Sequence, residues 1–374
     1  MINEERLKQF FLELAHIESP SRREGAIARY LQEKFEALGA QCLFDDSAPR
    51  TGSEVGNLVV KLSPSSRARV FLAAHMDTVE PTDSPKIIFT NGVFKSDGRT
   101  ICGADDKSAI AIFLELAHVI KENKLSFPVE FVFTTCEEIG LLGAKHLDYS
   151  LLSAPFGYAL DSVDPLELIN KAPEAIRFTI KVLGKAAHAG INPEAGINAI
   201  KIASEAIAGI TLGRIDEETT ANIGTIKGGK ATNIVPAEVV VEGEVRSHNR
   251  ETLKAQWQHI ISSFEEAVKV YPRQEKDLPK IHYDKVKDYP LMYVSEKHPV
   301  IKTALKAANN LGQKLRISTT GGGSDANIFN DKGFPCVILG TGMKKVHTTE
   351  ECLPFDEFLL AARLSLEILK EVGG

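Results

Sequence analysis

Apolar positions along the chain follow two rhythms. Stretches such as EERLKQFFLELAHI and KSAIAIFLELAHVIKEN return an apolar face at helical spacing, while short β-rich runs such as NLVVKL, ARVFLAAH, VEFVFTT and FGYAL are apolar on successive residues, as strands covered on both faces are. The two kinds alternate, which predicts an α/β protein with a mostly parallel sheet flanked by helices. Helices are expected over about residues 3–17 and 23–40, the second ending at Gly39 as a C-cap, and SDGRTICGADD is a loop leading into a long apolar helix. The style changes near Pro173. From there the order is strand (AIRFTIKVL), helix (EAGINAIKIASEAIAGI), strand (TANIGTIKG), strand (AEVVVEGEVRSH), helix (RETLKAQWQHIISSFEEAVKVY), strand (KIHYDKV), a βαββαβ unit of ferredoxin-like type. Helix HPVIKTALKAANNLG, strand CVILGTG and helix FDEFLLAARLSLEILKEV restore the first style. The expected organisation is an α/β domain of residues 1–173 and 288–374 carrying the metal chemistry, with an inserted ferredoxin-like α+β lid and dimerisation domain of residues 174–287.

Polar residues cluster where the apolar runs stop. VFLAAHMDTV places His75 and Asp77 at a strand end, VEFVFTTCEE places Glu137 and Glu138 there, FGYALDS places Asp161, and His347 follows CVILGTG closely. In an open parallel sheet the carboxyl ends of the strands share one edge and ligands bind outside it, so these residues are expected to converge. Asp105 and Asp106 open a helix that faces the same crevice, where an aspartate ordinarily serves as an N-cap. Singly, each of these residues has a plain structural use; their joint placement on one edge argues for a site. Two histidines and several carboxylates without a thiolate are the ligands of a catalytic zinc, cobalt or manganese centre. They are more than one tetrahedral ion with an open position needs, whereas two ions about 3.5–4 Å apart sharing a carboxylate would use them all. One of the adjacent glutamates is then a ligand and its neighbour the base that deprotonates water. Neighbours on a strand point opposite ways, so the pair needs a break in the strand, expected at Ile139 and Gly140.

Charge and cysteine usage narrow the remaining classes. A net charge of -6 and a pI near 6.0 offer no basic field for a phosphate backbone, so nucleic acid is not an expected partner. The 5 cysteines are odd in number and contain no CxxC, which fits a reducing cytoplasm and not a disulfide framework. The start, MINEERLKQFFLELAHI, is acidic and amphipathic, unlike a signal peptide, and no run reaches the roughly 18 apolar residues of a membrane span.

HMDTV (75–79), GADDK (103–107), CEEIG (136–140), ALDS (159–162) and His347 resemble the five metal-site motifs of the M20 family of dinuclear zinc metallopeptidases. GADDK and EEIGLLGA look most like its peptidase T (tripeptide aminopeptidase) branch. The resemblance implies a metal-dependent exopeptidase acting on small peptides, with His75, Asp105 and Asp161 on one ion and Asp105, Glu138 and His347 on the other, Asp105 bridging. The ions would be Zn2+, with Co2+ or Mn2+ as alternatives. It makes Glu137 the general base and Asp77 the partner that orients the ring of His75, and leaves Asp106 as a cap. In the lid it implies that Arg246, in VEGEVRSH, takes the substrate carboxylate and that Asn233, in ATNIVPA, makes a further substrate contact. His188, in GKAAHAG, resembles the histidine that reaches the opposite subunit's active site and steadies the oxyanion, implying a homodimer through the lid. TTGGGSDAN (319–327) lacks the register of a phosphate loop and is expected to face the substrate. Ser108 and Ala109 stand where peptidase T has Ala-Gly, which leaves open another M20 amidohydrolase: an aminoacylase, deacetylase or carboxypeptidase. A metal-dependent binding protein without catalysis is the alternative from another class; Glu137 beside Glu138 argues against it.

Overall fold

A computed structural model of the chain describes residues 1–373 apart from 63–66, 126, 273 and 276. Two compact units divide it, Met1–Ala172 with Met292–Gly374, and Pro173–Leu291.

In the first unit, nine described strands form one sheet. Its order is Gln41–Phe44, Leu58–Lys61, Val129–Thr134, Val70–His75, Gly157–Ser162, Cys336–Gly340, Glu167–Ala172 and Met292–Tyr293, with Arg316–Thr319 also paired to Glu167–Ala172. The four strands from Val129–Thr134 to Cys336–Gly340 run parallel. The path turns antiparallel on either side of them. Both faces of the parallel centre are covered: Leu72, Phe131, Phe133, Tyr158 and Leu160 join one core, while Phe71, Ala73, Val132 and Ala159 join the other. That double cover is why these strands read as unbroken apolar runs.

Several elements go beyond the expected set. The strand Gln41–Phe44, the hairpin of Ile87–Thr90 and Val93–Ser96, and the strand Arg316–Thr319 are only four residues long each. Each is therefore too short to show a clear period. Helix Ala104–Glu122 starts differently from expectation as well. Gly103, at φ 72, precedes it without a side-chain cap, and Asp105 (φ -85, ψ 103) and Asp106 (φ -119, ψ 27) are non-helical, so regular helix begins after them. Asp106 does not cap the helix; its carboxylate accepts the main-chain amide of His75.

The second unit has its own sheet, in the order Gly213–Arg214, Thr219–Gly228, Glu238–Ser247, Glu174–Leu183 and Lys280–Tyr289, antiparallel throughout. Without the two-residue ribbon, the four long strands stand in the ferredoxin-like arrangement, the last beside the first. Helices Ala199–Ala208 and Arg250–Lys269 supply Ile202, Ile260 and Phe264 to a core shared with Phe178, Ile180 and Val241. The helix expected from residue 194 begins only at Ala199, because Asn198 caps it by accepting the amide of Lys201. The final strand pairs through Tyr289, beyond the residue 287 at which the inserted segment was expected to end. Among the described residues, no helix is long and apolar enough to cross a membrane.

The turn after Val129–Thr134 closes against Gly143. A Cβ on Gly143 would lie 2.3 Å from Thr135 O, 2.5 Å from Thr135 N and 2.6 Å from Asn57 Oδ1. Gly143→Ala is expected to force this main chain apart and cost about 1–3 kcal/mol of stability. The check is a urea titration: a lower midpoint with unchanged slope is expected, and an unchanged midpoint contradicts the close packing.

Candidate metal centre

The parallel strands deliver their terminal side chains to one edge. His75 ends Val70–His75 and pairs in register with Thr134, while Ala73 pairs with Ala159, so Asp161 lies alongside on Gly157–Ser162. Asp105 reaches this edge from the non-helical start of Ala104–Glu122, and His347 from the loop after Cys336–Gly340. The carboxylate of Asp105 is shared between the two histidines. Its Oδ1 stands 3.0 Å from His75 Nε2 and its Oδ2 stands 3.4 Å from His347 Nε2. Glu138 meets the same imidazole, with Oε2 at 3.0 Å from His347 Nε2. Three groups of potential ligand atoms result, each with all its atoms within 4.8 Å: His75, Asp105 and Asp161; Asp105, Glu138 and His347; and His75, Glu137 and Glu138.

The stretch TTCEEIG leaves the sheet earlier than Ile139. The strand stops at Thr134, and Cys136 takes a left-handed φ of 53, so Glu137 and Glu138 already lie on a turn. Gly140 and Leu141, both at positive φ, close that turn by donating their amides to Glu137 O at 3.0 and 2.8 Å. Left-handed backbone at a non-glycine residue is costly and persists only where its surroundings hold it. The hold comes from buried polar side chains. Glu24 Oε1 accepts the Cys136 amide at 3.0 Å, and Asn57 Oδ1 accepts the Thr135 amide at 3.1 Å. Asp77 accepts the amides of Glu137 at 2.9 Å and Glu138 at 3.2 Å, together with the hydroxyl of Ser21 at 2.6 Å.

Asp77 is thus tied less directly to His75 than its spacing suggests. The His75 Nδ1 partner is the main-chain oxygen of Asp77 at 2.8 Å, and the Asp77 carboxylate is 3.6 Å away, because that carboxylate is turned toward the glutamate amides. Cys136 is turned away too: its sulfur faces Glu24 Oε1 at 3.3 Å, and burial raises the thiol far above its ordinary value.

The donor set is therefore imidazole and carboxylate, the hard-to-borderline combination that suits divalent ions. Its electrostatics point the same way. Burial, reinforced by neighbouring carboxylates, pushes Asp161 to about 7 and raises Glu137 well above its ordinary range. Glu138 is also raised by burial, and Asp325 is raised by it to about 6. Asp105 departs from this pattern: burial would raise it, but hydrogen bonds from His347 and His75 hold it below the usual carboxylate range. Contacts with Asp105 and Glu138 in turn lift His347 to about 10. Two imidazoles bring too little positive charge for this many carboxylates, and a divalent cation held between them would supply it. Behind the group, Asp325 Oδ2 accepts the hydroxyl of Thr134 at 2.5 Å, so TTGGGSDAN is fastened to the end of the glutamate-bearing strand.

The remaining expected site residues lie in the second unit. His188 and Asn233 are brought together: His188 bridges Ile234, and Ala189 donates its amide to Asn233 O at 2.9 Å. Both side chains are exposed. Arg246, near the end of Glu238–Ser247, faces Glu244 across Nε–Oε1 and Nη2–Oε2 separations of 2.9 and 3.0 Å. Ser21, Glu24, Asn57 and the amide-binding role of Asp106 left no trace in the sequence pattern, since each works on main chain distant along the polypeptide.

Comparison with known proteins follows from this geometry. The peptidase dimerisation domain of M20 type matches residues 172–272, and M42 glutamyl aminopeptidase matches residues 87–165. An uncharacterised protein of Bacillus subtilis, YqjE, is 41% identical over 100% of both chains. A tripeptidase from Staphylococcus aureus superposes with a TM-score of 0.93 at 42% identity, covering 100% of this chain and 99% of its own. The aminopeptidase PepT of Bacillus cereus gives a TM-score of 0.90 at 38% identity, covering 100% of both. With close likeness in sequence and fold over its whole length, the chain belongs to the M20 family of peptidases, in the peptidase T-like branch.

Proposed function

We propose that the protein is a two-metal aminopeptidase that releases the N-terminal residue of tripeptides. The observation that carries this is the carboxylate of Asp105, with one oxygen toward His75 and the other toward His347. Further support is the likeness to a tripeptidase and to aminopeptidase PepT. In the proposed arrangement His75, Asp105 and Asp161 hold one ion and Asp105, Glu138 and His347 the other, with zinc as the native metal. Ions held there supply Lewis-acid polarisation of the scissile carbonyl and a lowered pKa for water.

The chain's own residues supply the rest. Asp77 fixes the amides of Glu137 and Glu138 at the same time, so one carboxylate positions both the base and the ligand. Glu137 takes the proton of the attacking water and returns it to the leaving amine. Arg246 is proposed to receive the substrate carboxylate, exchanging its bond to Glu244 for a bidentate one. Asn233 adds a substrate contact, and His188 steadies the oxyanion in the partner of a homodimer formed through the second unit.

Two expected outcomes follow. Release of the N-terminal residue from di-, tri- and tetrapeptides, measured with zinc, cobalt or manganese present, is expected to be fastest for tripeptides and to stop on chelation. Turnover confined to N-acyl amino acids, or release from the C-terminus, contradicts the proposal. Glu137→Gln is expected to retain bound metal and lower kcat about 10²–10⁴-fold. A kcat within a few-fold of the parent protein would remove Glu137 from the base role.

A further inference from the structure

Glu351 lies in the same loop as His347, and only 1% of its surface is exposed. Its two oxygens accept main-chain amides from a different part of the chain, Oε2 from Gly103 at 2.7 Å and Oε1 from Asp105 at 2.9 Å. Both amides belong to the turn that presents Asp105. The amide of Glu351 donates to Thr348 O at 3.1 Å, so the residue is built into the turn that follows His347. A carboxylate is costly to bury and is held here by paired donors, which makes its position well defined.

The ligand groups differ in how they are held. His75 and Asp161 stand on adjacent parallel strands whose ladder sets their spacing. His347 has no strand beneath it: its side chain is 52% exposed and its φ is 62. The carboxylate of Glu351 joins its loop to the main chain of the Asp105 turn. Resting on the two-ion proposal above, we infer that Glu351 is a positioning residue that sets the reach of His347 to Asp105 and thereby the affinity of the cation site formed by Asp105, Glu138 and His347, with little effect on the site of His75, Asp105 and Asp161. A buried glutamate that merely supported the fold would weaken both sites together.

The test is a Co2+ titration of the full-length, metal-stripped protein by equilibrium dialysis, with bound metal quantified and folding followed by circular dichroism. Glu351→Gln keeps the shape but presents an amide N–H to a main-chain N–H. It is expected to bind the first ion within about threefold of the parent affinity and the second about 10–100-fold more weakly. Glu351→Asp, which keeps the charge and shortens the reach, is expected to weaken the second ion selectively as well, and it carries the same readout if the glutamine variant does not fold. Equal affinities in parent and variants, or equal weakening of both ions, overturns the inference, as does loss of folding in both variants. A parent protein that binds fewer than two Co2+ ions contradicts the two-ion proposal itself.

Discussion

Carboxylates gathered in a dry place repel one another, and the carboxyl edge of the large sheet is built around that constraint. Asp105, Glu137, Glu138 and Asp161 meet there with His75 and His347. A second set of buried acids, Glu24, Asp77, Asp106 and Glu351, surrounds them. Their oxygens accept main-chain amides: Cys136 on Glu24, Glu137 and Glu138 on Asp77, His75 on Asp106, Gly103 and Asp105 on Glu351. The outer acids thus fix backbone, while the inner ones bring their side chains together at the edge of the sheet. A buried anion whose donors are removed becomes a destabilising group, so each clamp also commits the chain to one arrangement of its loops.

This division explains what could be seen in the sequence. The central strands are covered on both faces, so their apolar runs end abruptly and the polar residues at those ends, His75, Glu137 and Asp161, stand out. His347 was legible from its place just after CVILGTG and Asp105 from the helix it opens, and the motif GADDK singled out Asp105 from Asp106. The edge strand Gln41–Phe44 and the hairpin of Ile87–Thr90 with Val93–Ser96 were not legible, because strands of four residues are too short to show a clear period. The clamps were hidden for another reason. Glu24 acts on an amide 112 positions away and Glu351 on one 246 away, and nothing local marks a glutamate for such work. The strand break at Cys136, earlier than Ile139, belongs with them, since Glu24 is what holds that left-handed residue.

The second unit is organised by different forces. Its sheet and two helices close their own apolar core, and the residues of interest sit on its surface, His188 and Asn233 on paired loops and Arg246 against Glu244. The guanidinium of Arg246 donates to Glu244 through Nη2 at 3.0 Å, which holds it in a defined geometry.

The central claim is that Asp105 stands between two cations. Anomalous diffraction at the zinc edge, from crystals of the zinc-loaded protein, tests it most directly. Two peaks are predicted, roughly 3.5–4 Å apart, one on each side of the Asp105 carboxylate, with His75 on one and His347 on the other. A single peak, or a pair of peaks that Asp105 does not link, would contradict the account.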